Sequence, residues 1–307
     1  MRTVYLGTSQ FAVDVLRVLA SSPHRPALVV TRPDRPRGRG RRSAAPPVAQ
    51  AAGELGLELA QPESVNGAEA RRAIAAARPE AVCVCAFGAL IDEPLLSEHT
   101  FLNVHPSLLP RWRGAAPIER SIIAGDARTG VSIMRLTAGL DSGPVCISRP
   151  EPIGPRDTYG TLAPRLAALG GMLLVQALDR WPLGLRFAEQ DEREATYAER
   201  IDAADRVLTG DRPASECERI VRALAPHIGA AVLLAGGGRL GVWEAEARPP
   251  ATGDPAPGRV ATDGPVPLLG CSPGALALTV VQPEGRRSMG GDAYVRGLRP
   301  ASGRRDG

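Results

Sequence analysis

A chain of 307 residues is too long for one average domain and long enough for two, each with a core of its own. Its 44% hydrophobic content suits a globular protein, and no stretch approaches the roughly 20 uninterrupted apolar residues of a membrane span. The chain has no lysine, so all 37 basic residues other than histidine are arginine, and a net charge of +4 says little by itself about partners.

Strand-like text begins at Thr3, which leaves no room for a signal peptide, so the expectation is a soluble cytoplasmic protein. "TVYL" is followed by a helical pattern, "FAVDVLRVLASS", in which Ala12, Val15, Leu16 and Leu19 share one face. Between them "GTSQF" stands where a dinucleotide fold places Gly-x-Gly-x-x-Gly, but it lacks the second and third glycines. A strand-to-helix turn capped by Thr8 or Ser9 is the better reading. "ALVV" then leads into "RPDRPRGRGRR" (32–42), six arginines against one aspartate, which leaves the rest of the chain close to neutral. Such a stretch cannot build a core; it is a solvated loop on the same side as any site in the fold.

The alternation continues through "PPVAQAAGEL", "LELA", "AEARRAIAAA", "AVCVCAF", a short helix, "FLNVH" and "PIERSIIAG". "VSIMRL" and "PVCISR" bracket the turn "TAGLDSG", and a helix runs from about 158 to 179. Strands and helices in alternation predict a doubly wound, mainly parallel sheet of Rossmann type over residues 1–184. Residues 185–200 are charged and poorly periodic and read as a linker. From 201 to 307 a helix, "ASECERIVRALA", and short apolar runs separated by Gly and Pro predict a small barrel of the oligonucleotide-binding type. The end, "RPASGRRDG", reads as a frayed tail. Five cysteines, Cys83, Cys85, Cys146, Cys217 and Cys271, contain no Cys-x-x-Cys pair, and reduced buried thiols are expected.

Open parallel sheets carry their sites beyond the carboxyl ends of the strands. Three polar features fall on that edge: Phe87-Gly88, Asn103 with His105, and Asp141 in "GLDSG". Each alone is weak, since residues two apart on a strand share a face for any reason. Together, an amide donor, an imidazole and a carboxylate are what acyl transfer to an amine needs. Asn103 can donate to a developing oxyanion, His105 can exchange a proton and Asp141 can orient it. No serine or cysteine is placed as a covalent nucleophile, and no ligand set repeats as a metal site would.

"NVHPSLLPRWRGAAPI" (103–118), with "AGDARTGVSIMRL", "GLDSGPV", "RPDRPRGRG", "GTSQFAVDVL" and "TYAER", closely resembles the methionyl-tRNA formyltransferase family. The resemblance implies a formyltransferase-type catalytic domain followed by a tRNA-binding barrel. It implies 10-formyltetrahydrofolate as co-substrate, initiator methionyl-tRNA as acceptor, no metal, no membrane and a monomer. Asn103, His105 and Asp141 match the family's catalytic set. Ser107, Leu108, Leu109 and Pro110, with Phe87, Gly88, Ala89, Leu90 and Ile91, match its folate-lining segments. Arg39 matches the loop arginine that enters the tRNA acceptor end, and Arg35, Arg37, Arg41, Arg42 and Arg206 are further phosphate contacts on the same ground. The chain departs from the family pattern at Asp92, usually proline, at Leu208 and Thr209, usually an acid and tryptophan, and at "LAPHIGA". Two other readings stay open: formyl transfer to a small amine, and a nucleic-acid-binding or regulatory protein on a retired enzyme scaffold.

Overall fold

β1 (Thr3–Gly7) opens a seven-stranded sheet in a computed structural model that describes residues 1–37 and 42–298. Arg39, Arg41 and the tail at 299–307 lie outside the described residues, as do the side chains of Arg37 and Arg42. In chain order follow α1 (Gln10–Ala20), β2 (Pro26–Val30), the short antiparallel pair β3 (Arg35–Arg37) and β4 (Arg42–Ala44), α2 (Pro47–Glu54), β5 (Leu59–Ala60) and α3 (Ala68–Ala77). Then come β6 (Ala81–Cys85), α4 (Leu95–Glu98), β7 (Phe101–His105), β8 (Arg113–Gly114), α5 (Pro117–Ala124), β9 (Arg128–Arg135), β10 (Val145–Pro152), α6 (Tyr159–Arg180) and β11 (Tyr197–Ala198).

The sheet order is β10-β9-β7-β6-β1-β2-β5. The five strands from β5 to β7 are parallel, and β9 and β10 continue the β7 edge antiparallel. The direction of winding reverses at β1, and β6 and β7 deliver their carboxyl ends side by side. Ala12, Val15, Leu16 and Leu19 of α1 are wholly buried, as their spacing requires. Ser9 caps that helix by accepting from the Ala12 N–H at 3.4 Å, while the Thr8 hydroxyl donates to the Phe87 carbonyl at 2.8 Å. A β-carbon on Gly7 would lie 2.8 Å from Ala12 Cβ and Tyr5 Cε1, so this glycine serves close helix-to-strand packing.

Cys83 and Cys85 are fully buried on β6, and burial pushes both thiols up to about 12. The thiolate that alkylating reagents attack is then scarce at neutral pH. Iodoacetamide on the native protein at pH 8 is expected to leave both unlabelled and to label both in urea. Rapid native labelling, read by mass spectrometry, would contradict the packing of β6.

Two units divide the chain, and the first holds Met1–Pro117, Arg128–Pro152 and Ala163–Ala198. The stretch read as a linker is thus, up to Ala198, part of this unit. Ala188 exchanges two backbone hydrogen bonds with Val145, at 2.8 and 2.9 Å, and the Arg135 guanidinium stacks 4.4 Å over the Phe187 ring. Further on, β11 pairs with β8 in parallel. Residues 188–198 are a strap fixed at both ends. It carries no apolar period because its residues satisfy polar groups of loops instead of filling a core.

Among the described residues, one helical stretch, Tyr159–Leu183, has the length and apolarity to cross a membrane, with a mean hydropathy of 1.4 over its best window. Arg165 and Asp179 interrupt its apolar run. Of that window 61% is buried inside the protein, which is the behaviour of a core helix.

The second unit comprises Ile118–Ala127, Ile153–Leu162 and the chain from Glu199. It contains α7 (Ala214–Leu224), β12 (Ala230–Leu233), β13 (Arg239–Arg248), β14 (Val260–Ala261), β15 (Leu268–Gly270), β16 (Ala275–Pro283), β17 (Met289–Gly290) and α8 (Gly291–Leu298). Its sheet is antiparallel and six-stranded, ordered β12-β13-β16-β15-β14 with β17 beside β16. The core packs Ile220, Val221 and Leu224 of α7 against Val242, Leu276 and Leu278 of the sheet. α8 is not legible in the sequence, since glycine opens it and Gly297 sits within it.

Candidate active site

Asn103 and His105 project from one face of β7, both nearly buried, and Asp141 comes from the loop between β9 and β10. The structure brings all three together. Asn103 Nδ2 donates to Asp141 Oδ1 at 3.4 Å, and His105 Nδ1 lies 3.5 Å from Asp141 Oδ2. His105 Nε2 is 2.8 Å from the Trp112 carbonyl, which can only accept, so Nε2 carries the hydrogen. Nδ1 is left to face the carboxylate. Gly114 N–H donates to Asp141 Oδ2 at 2.9 Å and fixes the other side of that oxygen.

Main-chain atoms from Trp112 to Gly114 therefore touch both ionisable members of the trio. They reach them through unusual backbone: φ is 64° at Trp112, 114° at Gly114 and 45° at Asp141. For the non-glycine residues this left-handed region costs about 1–2 kcal/mol each, so the surroundings must hold them there. Trp112 N–H donates to Thr196 Oγ1 at 2.9 Å, and Arg113 N–H to the Thr196 carbonyl at 2.8 Å. The strap supplies the hold.

The Ser-Leu-Leu-Pro turn starts directly after β7. Ser107 is fully buried; its hydroxyl donates to the Arg111 carbonyl at 2.6 Å and so closes the turn from within. Ser132 of β9 braces the same turn, donating to the Ser107 carbonyl at 2.8 Å and accepting from Leu109 N–H at 3.1 Å. Leu108, Leu109 and Pro110 are half-buried and apolar. Leu108 lies on Gly130: a β-carbon there would overlap the Arg149 carbonyl oxygen and lie 2.5 Å from Leu108 Cδ2. Gly130→Ala is expected to cost about 1–3 kcal/mol by overpacking, seen as a lower urea midpoint. An unchanged midpoint would mean that β9, β10 and the turn separate freely.

The segment after β6 leaves the strand that pairs with β7. Phe87 and Ile91 face inward, whereas Gly88, Ala89 and Leu90 are exposed. Asn66 fixes the far end, donating to the Leu90 carbonyl at 3.1 Å and to Asp92 Oδ2 at 2.9 Å, and accepting from Asp92 N–H at 3.0 Å. An aspartate in place of proline is thereby given a partner. The arginine stretch leaves β2 at the same edge, with Arg32 Nη1 3.7 Å from where a Gly88 β-carbon would be. Arg35 is exposed there.

Arg206 is placed differently from a free phosphate contact. In the second unit its guanidinium donates to the Ile228 and Gly229 carbonyls at 2.9 and 3.2 Å. His227 hydrogen-bonds Glu119 at 2.9 Å and stacks on Tyr159 with 3.7 Å between ring centroids, which is a structural use of its ring. Among the described residues no cluster of three or more His, Cys, Asp or Glu is placed to hold a metal ion.

Sequence reasoning missed the groups behind Asp141. Arg113, almost fully buried, grips the Glu192 carboxylate through both terminal nitrogens at 2.8 Å and donates from Nε to Gln190 Oε1 at 3.0 Å. The guanidinium holds the Glu192 carboxyl below the usual carboxylate range. Nothing in "LPRWRGAAPI" marks Arg113 as buried, since its partners lie 77 and 79 residues on.

A sequence profile described as formyl transferase matches residues 1–178, and one described as formyl transferase, C-terminal domain, matches residues 200–299. The chain belongs to the formyltransferase family. The methionyl-tRNA formyltransferase of Methylococcus capsulatus is 42% identical over 298 residues, covering 96% of each chain. That of Aromatoleum aromaticum is 40% identical over 309 residues, covering 99% of this chain and 96% of its own. Among solved structures, the sugar 3N-formyl transferase WlaRD aligns over 94% of this chain and 99% of its own with a TM-score of 0.65 at 13% identity. Aquifex aeolicus HypX in complex with tetrahydrofolic acid aligns over 97% of this chain but 47% of its own, with a TM-score of 0.63 at 17% identity. At such identities the two structures carry the fold alone, and this formyltransferase spans about half the length of HypX.

Proposed function

We propose that the protein transfers the formyl group of 10-formyltetrahydrofolate to the α-amino group of methionine on initiator methionyl-tRNA, giving N-formylmethionyl-tRNA for translation initiation. The observation that carries the reading is the convergence of Asn103, His105 and Asp141 at one sheet edge, in a chain 42% identical end to end to a methionyl-tRNA formyltransferase. Folate supplies an activated formyl carbon when bound. The half-buried apolar side chains of Leu108, Leu109 and Pro110 and the exposed Leu90 are of the kind that suits its flat ring.

In this reading the nucleophile is an α-amine with an ordinary pKa of about 7.7–8.0, so its free base is accessible. Asn103 donates the Nδ2 hydrogen not directed to Asp141 toward the carbonyl oxygen as that oxygen gains charge. His105, its Nε2 hydrogen committed to Trp112, has Nδ1 to take up the proton the amine sheds, directly or through one water. Asp141 offsets the charge that arrives on the ring. The exposed Arg35 joins Arg37, Arg39, Arg41 and Arg42 in contacting phosphates of the acceptor end, with the second domain adding tRNA surface. The enzyme acts in the cytoplasm as a monomer and uses no metal.

The direct test is formyl transfer to charged initiator tRNA, run beside uncharged tRNA, free methionine and an Arg39→Ala variant. Product on the charged tRNA alone, lost with Arg39→Ala, is the expected result. Product on a small amine, or folate binding without transfer to any acceptor, would overturn it.

A further inference from the structure

Gln190 belongs to none of the motifs that mark the site, yet its amide is spent entirely around Asp141. Its Nε2 donates to the Asp141 carbonyl at 2.8 Å and to the Gly143 carbonyl at 2.7 Å, one hydrogen to each side of Ser142. Its Oε1 accepts from Arg113 Nε at 3.0 Å. Two carbonyls demand donors and a guanidinium demands an acceptor, so the amide has one orientation. Gly143 adds a second constraint, since any β-carbon there would overlap the Arg135 carbonyl oxygen. The turn cannot slide toward β9 to relieve a lost bond.

Asp141 sits at φ 45°, where an L-residue stays only if its neighbours hold it. Its carboxylate is held by Gly114 N–H at 2.9 Å and its carbonyl by Gln190 at 2.8 Å. Both holders are tied to the strap: Gln190 belongs to it, and Gly114 pairs with Ala198 through β8 and β11. Arg113, next to Gly114, closes the ring by joining Gln190 to Glu192.

We propose that Gln190 is a positioning residue of the transfer reaction, holding the Asp141 backbone in its left-handed turn so that the carboxylate stays in register with Asn103 and His105. The inference rests on the role given to Asp141 above. Displacing a catalytic group by about 1 Å can cost on the order of a hundredfold in rate, so even partial loosening has a measurable effect.

The experiment is a double-mutant cycle on the full-length enzyme, with kcat and KM measured for both substrates. Gln190→Ala is expected to lower kcat about tenfold with both KM values within about twofold, and to add less than about twofold in an Asp141→Asn background. Gln190→Glu, which keeps the shape but replaces the donor nitrogen with an acceptor, is expected to lose at least as much. Glu192→Gln, at an exposed position, gives a smaller loss in the same direction and serves if Gln190→Ala does not fold. Unchanged kcat, a loss confined to KM, or an equal loss in both backgrounds would overturn the proposal. If Asp141→Asn alone leaves kcat intact, the role of Asp141 fails first, and that single variant separates the two failures.

Discussion

Asn103→Ala is expected to lower kcat at least about a hundredfold while leaving the KM for folate and tRNA close to wild type. Loss of one oxyanion donor typically costs about 2.7–4 kcal/mol of transition-state stabilisation. The geometry favours the upper part of that range. Asn103 is nearly buried on a strand with neighbours on both sides, so no water takes over the lost donor easily. Its amide also touches Asp141 at 3.4 Å, and removal loosens the carboxylate as well. Steady-state kinetics on protein with native circular dichroism decides the matter. Turnover near wild type would remove Asn103 from the chemistry.

The second large effect is expected at His105. General acid–base groups contribute about 10²- to 10⁴-fold, and His105→Ala is expected to fall in that interval. Because Nε2 is bound to the Trp112 carbonyl at 2.8 Å, the variant also frees a main-chain acceptor next to a residue at φ 64°. His105→Gln can restore a hydrogen bond to that carbonyl but cannot carry a proton. A rate for His105→Gln as low as for His105→Ala would locate the loss in proton exchange, and recovery to wild-type turnover would reduce His105 to a structural histidine.

Much of the catalytic unit is legible in the sequence because a parallel sheet writes itself locally. Buried strands such as "AVCVCAF" are short apolar runs, and the helices between them show one apolar face. The tip of β7 is legible for the same reason: Asn103 and His105 are polar letters at a place where a buried strand offers no cause for them. Asp141 is visible only through its neighbours in "GLDSG". What stays hidden depends on contacts far apart in the chain. Ser107 reads as a lining residue but turns its hydroxyl inward to the Arg111 carbonyl, while Arg206 spends its guanidinium on a turn 22 residues away. The strap from 188 to 198 looks like a linker since its value lies in hydrogen bonds to loops, which leave no period. Gln190 and Glu192 look like any exposed polar pair until Arg113 arrives from 77 residues upstream.

The chain enters the second unit twice before it settles there, at Ile118–Ala127 and Ile153–Leu162. Glu119 and Ile123 thus emerge from the ribosome about a hundred residues ahead of His227 and Arg219, with which they bond at 2.9 Å in each case. Such long-range closure is slow compared with local pairing. A nascent chain halted at Ala198 therefore carries two pieces of the second unit whose partners have not yet been made. The second unit is assembled from three separate stretches of chain, and it cannot be finished until the last hundred residues have been made.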